Sequence, residues 1–273
     1  MRVLSSTAIA FALGLVACSS PAPAPSILSY DEFKAQAYHD PETDTYVVNG
    51  DELVETEGAM RDAYDAYVDS AVETADTGFA TIDQSLIVNR VGGRDDKWAA
   101  ATAGNLTFCV SQASFGSRFN AVVNAMNTAT AAWEATARVN FVHSTAADAN
   151  CTRTTAGVVF NVRQVSGAGF LARSFFPSSG RSAREVLIDS TSFGTITPFT
   201  LAGILRHELG HTIGFRHEHT RPDSGTCFED NNWRALTTYD AASVMHYPQC
   251  NGTNRGDLVL TARDRSGARA LYP

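Results

Sequence analysis

Three histidines, His207, His211 and His217, fall within the eleven-residue stretch HELGHTIGFRH. On a helix, His207 and His211 lie one turn apart on one face, with about 5–6 Å between their Cβ atoms, so both can reach one metal ion. His217 would lie about 9 Å further along a continuous helix, which is too far. Gly214 can adopt the left-handed conformation that ends a helix and turns the chain back. The stretch therefore predicts a helix that stops at Gly214 and a site of three histidines.

The same helix places an acid beside the predicted metal. We expect the helix to begin with Thr197 as N-cap and Pro198 as its first residue. Three neutral imidazoles leave one position of a tetrahedral zinc for water, as in catalytic rather than structural zinc sites. Glu208 is rotated about 100° from His207 around the helix, so it can accept a proton from that water and pass it to a leaving amine. A buried helix that is only rich in histidine is much less favoured, because HExxHxxGxxH specifies five positions. The pattern predicts one catalytic zinc ion.

Further motifs follow the histidines, namely HEHTR at residues 217–221, SVMHY at 243–247 and LTARDRSGARALYP at 260–273. Together with HELGHTIGFRH they resemble the metzincin zinc endopeptidases and, among these, the astacin-like branch. The pattern is similar to the bacterial group called dual-action HEIGH metallopeptidases, although Leu209 stands where that name has Ile. The resemblance covers residues 98–273, and its strong motifs lie in residues 207–247.

This resemblance implies a role for each site residue. The three histidines bind zinc, and Glu208 is the general base. Met245 forms the apolar floor under the metal. Tyr247 binds or approaches zinc in the resting enzyme and swings to hydrogen-bond the oxyanion of the tetrahedral intermediate; the alternative for Tyr247 is a turn tyrosine packed on Pro248.

Three more residues of these motifs are not assigned as ligands. Glu218 marks the astacin-like branch, in which this residue contacts the mature N-terminus, and its role here stays open. His219 and His246 are expected around the site or at the surface, because the zinc already has its complement of ligands.

Charge divides the chain into two parts. Residues 19–97 carry seventeen acids and five bases, whereas residues 98–273 carry twelve acids and fifteen bases. We assign residues 31–97 to an acidic pro-segment and 98–273 to a catalytic domain, with a linker from about Asp83 to Lys97. The run VNGD, ending at Asp51, resembles the FxGD aspartate switch of astacin pro-segments, with Val48 in place of Phe. The resemblance implies that Asp51 takes the open zinc position; the alternative is a hairpin turn with Asp51 in solvent.

The N-terminus has the features of an export signal. In residues 1–17 one Arg precedes an apolar run too short to span a bilayer, and small residues follow. LVAC resembles the bacterial lipobox, which implies lipidation of Cys18, and a Pro-rich linker occupies residues 18–30. We expect a protein exported from a bacterial cell as a membrane-anchored lipoprotein of the envelope. A plain secretory signal is the alternative.

Four cysteines remain after Cys18, an even number that predicts two disulfides in an oxidising compartment. Three connectivities are possible. We favour Cys109–Cys151 and Cys227–Cys250, because each pair brackets one block of predicted elements.

Strands interleaved with long helices predict an α/β (α+β) fold, and the resemblance implies a zincin-like metzincin domain with a mixed sheet, an active-site helix and a Met-turn. The run FLARSFFP, including Phe170 to Phe176, resembles the edge strand along which substrates bind. The net charge of −8 argues against a nucleic-acid partner.

We therefore expect an exported zinc-dependent endopeptidase, made as a latent precursor, that hydrolyses protein or peptide substrates. The alternatives are a zinc-binding envelope lipoprotein that holds a partner without catalysis, and a zinc amidase. The oligomeric state is left open.

Overall fold

The computed structural model describes residues 27–73, 86–254 and 256–273. The predicted signal peptide at residues 1–17, the lipidation site Cys18 and most of the linker at 18–30 lie outside this part of the chain. None of the helices within the described ranges is long and apolar enough to cross a membrane.

A small unit comes first. Its three strands form an antiparallel sheet, and Asn49 and Gly50 join the second strand to the third with positive φ angles of 52° and 99°. Such angles are typical of the Asn-Gly hairpin turn that the sequence indicates. Met60, Val48 and Val54 form the apolar centre of this unit. The elements are α1 (Tyr30–Gln36), β1 (Tyr38–Asp40), β2 (Thr45–Val48), β3 (Glu52–Val54) and α2 (Glu57–Glu73).

The larger unit mixes strands and helices along the chain. Its strands are β4 (Ile87–Val91), β5 (Arg94–Asp95), β6 (Leu106–Val110), β7 (Phe141–His143), β8 (Phe160–Val165), β9 (Ala172–Arg173), β10 (Glu185–Asp189) and β11 (Trp233–Ala235). Its helices are α3 (Ala100–Ala103), α4 (Gln112–Phe115), α5 (Phe119–Glu134), α6 (Leu201–Thr212) and α7 (Ala262–Leu271).

A five-stranded mixed sheet organises this unit, in the order β7-β6-β8-β10-β9. Four of its strands are parallel, and β9 pairs antiparallel with β10 at the edge. The prediction of an α/β fold with a mixed sheet is confirmed, and the run from Phe170 to Phe176 contains an edge strand as expected.

The main core lies between one face of this sheet and the helices α5 and α6. Phe108, Val162 and Val186 contribute from the sheet, and Met126 and Leu205 contribute from the helices. A hydrogen bond of 2.8 Å from the Trp133 indole to the carbonyl of Arg206 joins the two helices. Burying so many apolar side chains on one face holds α6 in a fixed position against the sheet.

The prediction of a linker from about Asp83 to Lys97 is wrong for residues 86–97, which the structure describes. Strands β4 and β5 form a second three-stranded sheet with β11, in the order β11-β4-β5, and Leu86, Ile87 and Val88 are fully buried. The Gly92-Gly93 pair that suggested a loose linker is instead the hairpin turn between β4 and β5, with φ angles of 57° and 76°.

The predicted start of the metal-binding helix is also wrong by three residues. Helix α6 begins at Leu201, after Thr200, whose hydroxyl accepts a hydrogen bond of 3.0 Å from the backbone N–H of Gly203. Thr200 therefore provides the N-cap that the sequence assigned to Thr197.

The described part of the chain contains two disulfides, Cys109–Cys151 and Cys227–Cys250, which are the pairings that the sequence favoured. The second joins the segment after the last zinc-motif histidine to the turn that follows Tyr247.

Candidate metal centre

Helix α6 carries His207 and His211 on one buried face, with ring centroids 5.0 Å apart. Gly214 ends the helical path with a φ of 96°, and a Cβ atom there would overlap the carbonyl oxygen of Asp96. Only glycine satisfies both the left-handed backbone and this close approach. The turn brings His217 back to the helix, so its ring lies 5.2 Å from that of His207 and 4.8 Å from that of His211. The three predicted histidines are thus brought together.

The Nδ1 atom of each of the three imidazoles faces a hydrogen-bond acceptor. For His207 the acceptor is the carbonyl of Val244 at 2.7 Å, and for His211 it is the carbonyl of Phe215 at 2.7 Å. His217 Nδ1 lies 2.5 Å from Oε1 of Glu229. An acceptor at Nδ1 places the imidazole proton there, which leaves the Nε2 lone pair available as a metal ligand.

The carboxylate of Asp51 lies among the three Nε2 atoms. Its Oδ2 is 3.2 Å from His207 and 3.6 Å from His211, and its Oδ1 is 3.0 Å from His217. Asp51 is only 4% exposed, so the alternative of a solvent-exposed Asp51 does not hold in this structure.

The four ligand atoms lie within 4.8 Å of one another. Within the described part of the chain, His211 Nε2, His217 Nε2 and Asp51 Oδ1 have no hydrogen-bond partner. Three lone pairs and an anion in a buried space repel one another unless a cation lies between them. Three imidazoles and one carboxylate form a donor set that suits zinc, so the residues present fit this metal.

The pKa of His217 is consistent with an excess of negative charge around the three histidines. Burial acts to lower this pKa, but the carboxylates of Asp51 and Glu229, one at each ring nitrogen, raise it well above its usual value. A proton on His217 would compensate the negative charge of Asp51 at one imidazole only. The lone pairs of the other two imidazoles would still face the carboxylate. A divalent cation balances all three.

Glu208 is 2% exposed on α6, and its Oε2 has no hydrogen-bond partner among the described residues. Burial, and then the nearby charge of Asp51, raise the pKa of Glu208 well above its ordinary value. A raised pKa is typical of a carboxyl group that exchanges protons near neutral pH.

Tyr247 and Met245 both lie against the histidines. The Tyr247 ring is 4.5 Å from that of His217 and 5.5 Å from that of His207. A Cβ atom placed at Gly50 would come 3.0 Å from the Tyr247 hydroxyl, so this glycine lets the chain before Asp51 pass over the ring. Met245 is fully buried, and its sulfur lies so close to α6 that a side chain at Gly210 would overlap it.

Glu229 was missed by the sequence analysis. Besides His217, its carboxylate accepts a hydrogen bond of 2.6 Å from the Thr220 hydroxyl and one of 2.9 Å from Arg216. His219 stacks on His217 with centroids 4.6 Å apart, and its Nε2 lies 3.3 Å from Glu229. No motif or spacing in the sequence marks Glu229, because it lies in the loop that leads to β11.

The remaining motif residues are buried beside the site. Glu218 pairs with Arg221 at 3.2 Å and accepts a hydrogen bond of 3.1 Å from the backbone N–H of Asp240, and burial raises its pKa to about 8. His246 lies 2.8 Å from the hydroxyl of Tyr239.

Comparison with known proteins gives both local and family-level similarity. The chain is 39% identical over 90 residues to the bone morphogenetic protein 1 homolog of Strongylocentrotus purpuratus, covering 24% of this chain and 14% of that protein. It is 39% identical over 89 residues to the tolloid-like protein 2 of Mus musculus, covering 24% of this chain and 9% of that protein. The chain thus spans a small part of the length of these relatives. The solved structure of myroilysin aligns with a TM-score of 0.47 and 19% identity, over 68% of this chain and 98% of that one.

The family comparison covers residues 94–233, about half of the chain, and these residues match the dual-action HEIGH metallo-peptidases. The match includes the three histidines, Glu208 and Glu229. It confirms the resemblance found in the sequence, with Leu209 as a variation on the motif that names the family. This chain therefore belongs to the dual-action HEIGH metallo-peptidase family.

Proposed function

We propose that the protein is an exported zinc endopeptidase made as a latent precursor, with His207, His211 and His217 holding one zinc ion. The observation that carries this proposal is the convergence of three Nε2 lone pairs in a buried space, each fixed by an acceptor at Nδ1. Structural zinc sites are closed by four permanent protein ligands, whereas here the fourth donor, Asp51, comes from the N-terminal unit, and its removal leaves a position for substrate chemistry.

Zinc, when bound, supplies a Lewis acid that polarises the scissile carbonyl and acidifies water. Glu208 accepts the proton of the attacking water and donates it to the leaving amine, a role that its raised pKa supports. Tyr247 donates a hydrogen bond from its hydroxyl to the oxyanion that forms at the carbonyl. Met245 packs beneath α6 and holds the histidines in place.

Substrates bind in extended form along the edge strand β9. Asp51 and the first residues of β3, Glu52 and Leu53, line a small pocket together with Phe175 and Phe176, which follow this edge strand in the chain. A segment of the chain's own N-terminal unit therefore occupies space that a substrate needs, which supports latency.

Asp51 is the residue of the N-terminal unit that keeps the precursor inactive in this proposal. Its carboxylate takes the position that the attacking water requires, as the aspartate-switch resemblance implies. The neighbouring Glu52 pairs with Arg216 at 2.6 Å and ties the segment to the metal site. Export and attachment through Cys18 are part of the proposal and rest on the sequence of residues 1–18.

Casein digestion tests this function. The full chain and a chain cut by a specific protease at a site inserted within residues 74–85 are each assayed with and without a zinc chelator, and zinc is counted by mass spectrometry. We expect slow digestion by the full chain, faster digestion after cutting, and none with chelator.

Zinc binding without digestion by either form would favour the non-catalytic lipoprotein. Zinc-dependent hydrolysis of amides other than peptide bonds would favour the amidase.

A further inference from the structure

A second buried contact of the N-terminal unit lies on the face of the sheet opposite the main core. In the five-stranded sheet, Leu187 of β10 pairs in register with Arg163 of β8 and Arg173 of β9. Residues in register share a face. Leu187 belongs to a small apolar cluster outside the main core, whereas its neighbours Val186 and Ile188 belong to the main core. Arg163 and Arg173 therefore point away from the core, toward the N-terminal unit.

Asp40, at the end of β1, reaches both arginines. Its Oδ2 lies 2.5 Å from Nη2 of Arg163 and 3.6 Å from Nη2 of Arg173, and its Oδ1 accepts a hydrogen bond of 3.0 Å from the backbone N–H of Glu42. Asp40 is 1% exposed, so this ion pair is shielded from water. Neither of these ion pairs of Asp40 includes a residue of the metal site, although the charge of Glu208 also acts on the pKa of Arg173.

The two arginines have few other acids to pair with. Glu185 is held by Arg163 through hydrogen bonds of 3.0 and 3.1 Å and by Asn161 at 2.7 Å. Glu42 lies 3.6 Å from Arg163, but its side chain is 61% exposed. Among the residues that the structure describes, Asp40 and Glu185 are the buried carboxylates in ion-pair contact with these arginines, and of the two only Asp40 belongs to the N-terminal unit.

Arg173 forms no hydrogen bond with a carboxylate among the described residues. Burial lowers the pKa of Arg173, and the charges of Glu185 and, second, of Asp40 act to raise it. Its side chain is fully buried, and its Nε and Nη2 atoms have no hydrogen-bond partner in the described ranges. Nη1 makes only long hydrogen bonds of 3.3–3.4 Å to backbone carbonyls. A buried guanidinium with unused donors attracts a carboxylate strongly, since leaving it unpaired is costly.

We propose that Arg163 and Arg173 form a carboxylate-binding site separate from the metal centre, which Asp40 fills in the precursor and an acidic side chain of a protein substrate fills once the N-terminal unit has left. The second half of this proposal rests on the proposed function, since it requires that the N-terminal unit is released. The ligand is an acidic residue in an extended peptide.

The surroundings add a preference for an aromatic residue. Tyr38 lies two residues before Asp40 on the same strand, and its ring packs edge-on against Phe170 at 5.3 Å. Residues two apart in a strand point to the same side. The site therefore recognises an aromatic residue followed, two positions later, by an acid.

The first experiment tests the carboxylate site in the full chain by chemical rescue. Asp40→Ala opens a space between the arginines, and sodium formate is added as a probe, with sodium chloride at equal ionic strength as the reference. We expect Asp40→Ala to melt at a lower temperature than wild type and formate to raise its Tm saturably, by about 2–4 °C at concentrations well above the Kd.

Asp44→Ala is the matched control, because its side chain is 90% exposed and contacts only His39 among its ion-pair partners in the described chain. Formate should leave the Tm of this variant and of wild type unchanged. If Asp40→Ala does not fold, Asp40→Ser takes its place, because its shorter side chain also leaves space for formate between the arginines. An equal response of all three proteins to formate would overturn the site.

The second experiment tests recognition of an acidic peptide. The full chain carrying Glu208→Gln, which prevents cleavage of the peptide, is folded, cut within residues 74–85 and freed of its N-terminal piece. A labelled peptide with the sequence of residues 34–44 is then titrated, and fluorescence anisotropy gives its Kd. We expect about tenfold weaker binding when Asn replaces the aspartate of position 40 in the peptide, and no binding of either peptide to the uncut chain.

Equal affinity for the two peptides would overturn the proposal. If the cut chain with an intact Glu208 digests casein but the cut Glu208→Gln chain does not bind the peptide, the proposal is overturned as well. Failure of cutting to increase casein digestion would instead count against the latent precursor, and the formate result would stand by itself.

Discussion

Glu229 Oε1 lies 2.5 Å from Nδ1 of His217, at the ring nitrogen opposite the one that faces Asp51. A carboxylate in this position fixes the orientation of the imidazole and makes the other nitrogen a stronger donor to a metal. The same carboxylate is held by Thr220 and Arg216, so its position is itself fixed. Glu229 is therefore a positioning residue for the third histidine.

Glu229→Gln should weaken zinc binding by about 10–100-fold, because an amide orients the imidazole less well than a carboxylate does. Competition with a chelator of known affinity measures this change directly, without any assay of hydrolysis. Asp230→Asn is the control, since the ion pair of Asp230 within the described ranges is with Arg216 and not with a zinc-motif histidine. Equal zinc affinity in the Glu229→Gln variant and wild type would remove the proposed role.

Glu208→Gln should keep one equivalent of zinc while peptide hydrolysis falls by about 10²–10⁴-fold, the usual contribution of a general base. His211→Ala should lose zinc as well as activity. Metal content and casein digestion are measured on the same preparations. Near-normal turnover of Glu208→Gln would rule out the mechanism.

Local patterns predicted the parts of the site that depend on local geometry. The spacing of His207 and His211 follows from helical periodicity, and the turn at Gly214 follows from the freedom of glycine. The cap of α7 by Thr261 and Asp264 is local in the same sense, because capping involves residues only three apart.

Contacts between distant parts of the chain could not be foreseen in the same way. Asp40 and Arg163 are 123 residues apart, and no spacing rule connects them. Strand β4 is an example. The adjacent Gly-Gly pair suggests a linker, but the strand forms because it pairs with the distant β11. The start of α6 was misplaced because Thr197 and Thr200 are both acceptable N-caps, and only the hydrogen bond to Gly203 separates them.

Gly214→Ala should destabilise the protein and weaken zinc binding together. The added Cβ would overlap the carbonyl of Asp96, and the φ of 96° is unfavourable for alanine. Gly157→Ala is a matched control, since its φ is 79° but a Cβ there meets nothing within 4 Å. We expect a loss of about 1 kcal/mol for the control and a larger loss for Gly214→Ala. Thermal melting and zinc titration measure the two effects, and equal losses in both variants would contradict the close approach.

Cys18→Ala should move the protein from the membrane fraction to the soluble fraction of the bacterial envelope or to the medium. Lipid chains provide the anchor in the proposed lipoprotein, and replacement of the modified thiol prevents their attachment. Ser19→Ala keeps the cysteine and serves as the control. Membrane partitioning that is unchanged in Cys18→Ala would leave a plain secretory signal.

Asp51→Ala should raise the casein digestion of the uncut chain. The carboxylate of Asp51 lies within 3.6 Å of all three Nε2 atoms, so its removal frees the position that the attacking water needs. We expect a rise of about tenfold or more, because a factor of ten requires only about 1.4 kcal/mol of lost inhibition. The rise should be smaller than that produced by cutting within residues 74–85, since Glu52 still holds the segment to Arg216 in the variant. Asp44→Ala controls for the loss of one acid from the same unit. Equal activity of wild type, Asp51→Ala and the cut chain would show that the N-terminal unit is not inhibitory.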